Sequence, residues 1–358
     1  MQDERLDQIL SAWIDPYWQR DWWTTGCIER RHWEKGELLL DVALPYPFAT
    51  RAEALATSFQ EHLAAAGITS RLRLRLQVPR RKVESGLAGL QSVKNIVAVA
   101  SGKGGVGKST TAVNLAFALA AEGARVGLLD ADIYGPSLPT LLGVKPGTRP
   151  EVADEKFFRP LPRQGVEFMS MGLLVTEQTP VVWRGPMATG ALMQMLTQTL
   201  WSDLDYLIVD MPPGTGDIAL TLAQKVPISA ALIVTTPQDL ALLDAIKAVE
   251  MFRKVAIPVL GVVENMATHV CTQCGHEEAI FGAGGAQRLA QDYAIECLAS
   301  LPLSAALRQS ADAGSNLQRD AGDADLASRY RHLARRVAIA LASADVIAAN
   351  RIPNIVFS

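Results

Sequence analysis

Polar and apolar positions along this chain follow two regimes. Near the start, Leu72, Leu74, Leu76 and Val78 alternate with Arg73, Arg75 and Gln77, the period of a strand with one face in water. Glu37 to Leu44 reads as a second strand, Arg51 to Ala66 as a helix closed by Gly67, and Met1 to Ile14 as a short helix ending before Asp15-Pro16. Residues 1–78 are therefore expected to form a small α/β domain. Five of the seven tryptophans lie between Trp13 and Trp33, and the area each ring buries makes them its aromatic core. Residues 79–94, with Arg80, Arg81, Lys82, Gly86 and Gly89, read as a solvated linker.

From Asn95 the pattern changes to unbroken apolar runs separated by helical stretches. Strands are predicted at Ile96–Ala100, Val126–Asp130, Tyr206–Asp210, Ala231–Thr235 and Pro258–Val263, with a short one at Leu298–Leu301. Helices are predicted at Thr111–Ala121, Met187–Leu200, Ile218–Gln224, Ala241–Val255, Gly285–Ala294 and Leu326–Ala342. Strands that are apolar on both faces need helices on both sides. This predicts an α/β domain over residues 95–345 with a doubly wound, mainly parallel sheet, followed by a tail at 346–358.

Composition narrows the function. The chain has 358 residues, 49% of them hydrophobic, so a large core is available. A net charge of −3 gives no general argument for nucleic acid or an anionic membrane. The charged start MQDERLDQ lacks a signal core, no apolar run is long enough to span a bilayer, and the last eight residues are too weakly basic for a membrane-binding helix. Four cysteines are too few and too unevenly placed for a disulfide scaffold, and a cytoplasmic protein with reduced thiols is expected.

The chemistry centres on VAVASGKGGVGKSTT, residues 97–111, where Gly102, Gly107, Lys108 and Ser109 satisfy G-x-x-x-x-G-K-[ST] between a strand and a helix. Glycines let backbone N–H groups turn toward phosphates, and the helix N-terminus adds its positive end. Lys108 is placed for the β and γ phosphates, and Ser109 for Mg²⁺. Three carboxylates close predicted strands on the ligand-binding edge. Asp210 ends YLIVD before a glycine-rich run and is expected in the Mg²⁺ shell. Asp130 and Asp132 follow the second strand in LLDADIYGPS. Either can orient an attacking water, and Asp132, one step beyond the strand, is favoured.

Lys103 adds a second lysine before the glycines. GKGGVGKST resembles the deviant Walker A loop of the MinD/ParA family, where such a lysine reaches the partner subunit's nucleotide. With LLDADIYGPS, VVWRGPM, DMPPGTGD, TTPQD, VVENM and CTQCG…IFGAGGA, the stretch from Val93 to Asn316 resembles the Mrp/ApbC subgroup of iron–sulfur cluster carrier ATPases. The resemblance implies a homodimer that hydrolyses ATP and passes a cluster to apo iron–sulfur proteins, without nucleic acid or membrane as partner. It implies ATP on Gly102, Lys103, Gly104, Gly105, Val106, Gly107, Lys108, Ser109 and Thr110. Lys103, Lys108 and Asp132 would be catalytic, Asp130 and Asp210 near the nucleotide and its Mg²⁺, and Asn265 on the adenine edge. The small domain of that family often has a cysteine after a proline. Here Pro45-Tyr46-Pro47-Phe48 stands instead, so thiol chemistry is not expected there.

Cys271 and Cys274 in ATHVCTQCGHEE place two thiols on one turn, ready for a soft metal. Two thiolates fall short of the four a cluster usually takes, and two such loops meeting across a twofold axis supply four. One bridging [4Fe–4S] cluster per dimer is the expectation. Zinc remains open, because His269 and His276 flank the pair, although four zinc ligands would then crowd into eight residues. A MinD/ParA-like positioning ATPase is the other alternative. Cys27 and Cys297 read as apolar packing residues.

Overall fold

The computed structural model describes residues 2–81, 87–154, 156–174, 185–271, 273–319 and 323–343. Most of the VVWRGPM stretch, Thr272 and the tail at 346–358 lie outside them. The N-terminal unit contains α1 (Gln2–Ala12), β1 (Ile28–Glu34), β2 (Glu37–Leu44), α2 (Ala52–Ala65) and β3 (Ser70–Leu76). β2 is central, antiparallel to β1 and parallel to β3. β1 escapes the apolar pattern because IERRHWE is an edge strand with only Ile28 buried.

Of the five tryptophans expected as core, Trp13 and Trp22 are buried and Trp18 and Trp23 partly so, while Trp33, on the edge strand β1, is exposed. Trp13 packs edge-on against Trp22 and Phe59, and those two meet at a tilt, with ring centroids 4.5–5.0 Å apart. At their centre Asp15 is fully buried and accepts hydrogen bonds from the Tyr17 and Trp18 backbone N–H groups, Trp22 Nε1 (2.9 Å) and Tyr46 Oη (2.5 Å). Four donors around one carboxylate offset its loss of water. Tyr46 comes from the Pro45–Phe48 turn, so that segment serves packing here.

The second unit is one eight-stranded sheet. Its strands are β4 (Val93–Ala100), β5 (Val126–Asp130), β6 (Leu161–Arg163), β7 (Val166–Ser170), β8 (Leu204–Asp210), β9 (Ala230–Thr235), β10 (Val259–Glu264) and β11 (Glu296–Ser300), in the order β11-β10-β9-β4-β8-β5-β7-β6. All neighbours are parallel except β6 and β7. β4 begins at Val93, inside the stretch expected to be linker. The predicted strands occur within a few residues of their expected bounds. The β6–β7 hairpin was not anticipated. Its turn is Gln164-Gly165, both with positive φ (51° and 94°), the backbone that matches strand twist in a two-residue hairpin. Pro162 in β6 is tolerated because that strand is the sheet edge.

Among the helices, α3 (Lys108–Ala121) follows β4 and α4 (Leu138–Leu141) follows β5. α5 (Gly185–Gln198) precedes β8, α6 (Asp217–Lys225) follows it, and α7 (Asp239–Lys254) joins β9 to β10. α8 (Gly285–Asp292) leads into β11, and α9 (Ala305–Ala313) and α10 (Ala324–Ala342) end the fold. α9 was not foreseen; it is capped by Ser304, whose Oγ accepts the Leu307 N–H, and closed by Gly314 at φ 62°. α3 is buried from Thr111 to Leu119, because α10 packs on its other side. Among the described residues no helix is long and apolar enough to cross a membrane.

Glu122, at the C-terminal end of α3, joins the two units. Its carboxylate takes the Thr50 hydroxyl at 2.5 Å, the Thr50 N–H at 3.2 Å and the Arg335 guanidinium, while its carbonyl takes the Ala49 N–H at 3.0 Å. All of Glu122 and Arg335 is buried, so the pair needs each of these bonds.

Asp15→Ala leaves Trp22 Nε1, Tyr46 Oη and two backbone N–H groups without their acceptor. It should destabilise the N-terminal unit by about 3 kcal/mol or more, read by tryptophan fluorescence during urea unfolding. A change within ~0.5 kcal/mol, the scale of an uninvolved surface substitution, would remove Asp15 from the centre of that core.

Candidate nucleotide and thiol sites

After β4 the chain crosses to β5 beyond β8, and after β8 it crosses to β9 on the opposite side of β4. The connections diverge at the C-terminal ends of β4 and β8, which opens a crevice there. Residues 101–107 fill its floor. Gly105 and Gly107 both have φ 81°, so the loop curls through left-handed backbone at two points and Gly107 starts α3. Gly102 is needed for closeness: a Cβ there would lie 2.0 Å from the Asp244 carbonyl in α7. Ser101 Oγ donates to the Lys103 carbonyl at 2.8 Å and tightens the turn.

Lys108 is almost fully buried, with Nζ 2.5 Å from Asp210 Oδ1 and 3.3 Å from Ser109 Oγ. The loop lysine, the following hydroxyl and the strand-end carboxylate predicted from the sequence are thus brought together. Burial pushes the Asp210 carboxyl above its ordinary range, and Lys108 pulls it back. Asp210 Oδ2 is buried without a hydrogen-bond partner. With the half-buried Ser109 hydroxyl nearby it forms a pair of hard oxygen donors that fits Mg²⁺.

Asp130 and Asp132 part company. Asp130 is fully buried and accepts from Ser170 Oγ (2.9 Å) and from the Leu138 and Asp132 N–H groups (both 3.2 Å). It shapes the 131–138 loop, and its carboxyl is pushed up to about 7 by burial and by Asp210. Asp132 is only half-buried, accepts the Gly135 N–H at 3.3 Å, and feels Lys108 strongly enough for that charge to oppose the effect of burial. Of the two, Asp132 is the one open to a reacting group. Ser170 had no signal in the sequence, since its strand was not recognised.

Asn265, after β10, is buried. Its Nδ2 donates to the Val106 carbonyl at 2.9 Å and lies where a Gly107 Cβ would come within 2.2 Å. The asparagine expected on an adenine edge holds the P-loop through this bond. Lys103 is half-exposed, and among the described residues no carboxylate pairs with it. Gly104 and Gly105 are exposed beside it, and Val106 is buried beneath. Thr110 stands half-buried on the first turn of α3.

The thiol pair sits on a separate ribbon. His269–Val270 pairs antiparallel with Glu277–Glu278, and the Cys271 N–H to His276 carbonyl bond (2.9 Å) extends it. The Gly275 N–H returns to the Cys271 carbonyl at 2.9 Å, with Gly275 at φ 71°, and this closes the turn. Cys271 is half-buried and Cys274 exposed. The Cys274 and Gln273 backbone N–H groups and the Cys274 thiol hold Cys271 below the ordinary thiol range, which favours a thiolate. His269 Nδ1 is buried and unpartnered and His276 is exposed, but among the described residues no three Cys, His, Asp or Glu side chains converge to hold a metal. Cys27 and Cys297 lie elsewhere, each pushed up by burial, as packing residues would be.

Sheet, loop, ion pair and strand-end carboxylate together define a P-loop NTPase. A family described as NUBPL iron-transfer P-loop NTPase, of the ParA group, matches residues 92–338, and the chain belongs to that family. An iron–sulfur cluster carrier protein of Pseudomonas fragi is 60% identical over 269 residues, covering 75% of this chain and 94% of its own. One of Haemophilus influenzae is 43% identical over 342 residues, covering 95% and 92%. A solved nucleotide-binding protein from Archaeoglobus fulgidus, in complex with ADP, matches with TM-score 0.56 and 39% identity over 63% of this chain and 88% of its own.

The raised Asp130 carboxyl has a consequence for stability. Between its ordinary value of 3.8 and about 7, the folded chain holds a proton there that the unfolded chain does not, so stability falls as pH rises through that window. Asp130→Asn should flatten that fall, measured by urea unfolding at pH 5 and pH 7.5. An equal slope in both proteins would rule out a proton held by Asp130 in the folded chain.

Proposed function

We propose that this chain is an ATP-hydrolysing carrier that binds an iron–sulfur cluster and hands it to apo iron–sulfur proteins. The observation that carries the reading is the coexistence, in one fold, of a complete P-loop with an exposed two-thiol turn whose first thiol is biased toward thiolate. Residues 102–110 would hold ATP, with Lys108 moving from Asp210 onto the β and γ phosphates. Ser109 would ligate Mg²⁺ and Asp210 would stand in its shell, where the ion neutralises charge on the phosphates. Asp132 would position the attacking water, with Asp130 bracing its loop. Asn265 would support the loop and present the rest of its amide to the adenine. Slow turnover suits a nucleotide that acts as a conformational switch, in a cytoplasmic protein.

The cargo fits a homodimer. One turn offers two sulfurs and a cluster takes four, so two turns facing each other complete the set. Val270, Ile280 and Leu303, large apolar side chains exposed on or beside the ribbon, suit a face covered by a second copy. A [4Fe–4S] cluster bridging Cys271 and Cys274 of both chains is the form we favour. Zinc is the second reading, because the unpartnered Nδ1 of His269 lies in the same ribbon.

Lys103 is free to act across that dimer, since the phosphates of its own loop already have Lys108. Lys103→Ala should lower ATP turnover by about 1,000-fold or more, the scale of a cation supplied in trans to a phosphoryl-transfer transition state, while ATP binding stays measurable. Lys108→Ala should lose both. Wild-type turnover in Lys103→Ala, at matched protein concentration, would exclude a role for it in trans.

Anaerobic reconstitution with iron and sulfide should give a brown protein with one cluster per dimer. Cys271→Ala and Cys274→Ala should each lose the chromophore, and His269→Ala/His276→Ala should keep it. A colourless protein with one zinc per monomer, lost in the histidine double variant, would replace the carrier reading with a structural zinc site.

A further inference from the structure

A cavity of about 340 Å³ lies between the N-terminal unit and the sheet domain. Tyr17 and Arg51 line it from one side, Ala299 and Ser300 from the end of β11, and Ser328, Arg329, His332 and Arg335 from α10. Three guanidiniums, an imidazole, a phenol and two serine hydroxyls thus surround one space, and no carboxylate is among the lining residues. The acids that touch this cluster are already engaged: Glu122 holds one Nη of Arg335, Asp325 bonds Arg329 Nε at 2.7 Å, and Glu264 Oε2 accepts from Ser300 Oγ at 3.5 Å.

The arginines are not fully satisfied by those bonds. Arg335 is buried, rests against the Tyr17 ring with its Cζ 5.2 Å from the centroid, and its Nε has no hydrogen-bond partner. Arg51 Nε is likewise buried and unpartnered. Burial pushes the Arg335 guanidinium down, Glu122 and Tyr17 oppose that, and Arg51 and Arg331 add like-charge repulsion. Bringing cations together while leaving buried donors unused costs free energy that an anion would offset.

We propose that this cavity binds a compact, multiply charged oxyanion, phosphoryl or carboxylate in chemistry, in the manner of a small phosphate ester or a di- or tricarboxylate. Planar guanidinium forks match both groups, and the Ser328 hydroxyl adds a neutral donor. Because Arg51 belongs to one unit and Arg329 and Arg335 to the other, the anion would clamp the two together at the junction where Glu122 ends the P-loop helix.

The test uses the full chain with ADP saturating, so that the P-loop is filled, at constant ionic strength in chloride. Calorimetric titration with pyrophosphate and, separately, citrate should show one molecule bound per chain, and the tighter probe identifies the chemical class. Arg51→Gln and Arg329→Gln should each weaken that binding by about tenfold, the value of one charge-assisted hydrogen bond, and leave ADP affinity unchanged. Arg335 is left intact because its loss would strand Glu122. Failure of both probes to bind, or binding that neither variant weakens, would overturn the proposal.

Discussion

The buried ion pair between Lys108 and Asp210 is the contact on which the rest of the site depends. It ties the first residue of the P-loop helix to the last residue of the adjacent strand β8, across the point where the sheet's connections diverge. Neither charge can stay in that setting alone, since removing one partner of such a pair costs about 3–5 kcal/mol. The pair therefore holds the lysine against the strand end at the base of the loop, and it leaves Asp210 Oδ2 as an unused oxygen at the edge of the crevice. Structure and chemistry share one interaction here.

Around that pair the loop is held by steric means. Gly102 touches the Asp244 carbonyl of α7, and Gly107 sits against the Asn265 amide. The loop thus senses two neighbouring crossovers, one after β9 and one after β10. A nucleotide that shifted it would press on both. Glu264, beside Asn265, accepts the Ala286 N–H at the start of α8, so the segment carrying the thiols is bounded by β10 and a helix anchored to β10. P-loop and thiol segment are thus tied to the same strand, β10, by packed backbone and hydrogen bonds of 2.9 Å.

At its other end, α3 reaches the N-terminal unit through Glu122, Thr50 and Arg335. The helix that starts at the P-loop ends in a buried charge pair at the domain junction. This gives the small unit a fixed seat on the ATPase fold and explains why Arg335, on a helix otherwise facing α3 with apolar residues, is buried at all.

Much of this was legible in the residues. The glycine loop, Lys108, Ser109 and the strand-end carboxylates are encoded by local order, because a strand, a tight turn and a helix start are short-range features, and the parallel sheet follows from strands apolar on both faces. Other features needed the tertiary structure. β1 is a polar edge strand and β6–β7 turns on Gln164-Gly165, so neither carries a strong period. The two aspartates after β5 look alike in sequence. Only the fold buries Asp130 under Ser170, from a strand with no local signal, and leaves Asp132 open. Asn265 lies 159 residues from the carbonyl it holds, and Arg335 lies 213 from Glu122. Partners that far apart are chosen by the packing of sheet and helices, and no local pattern specifies them.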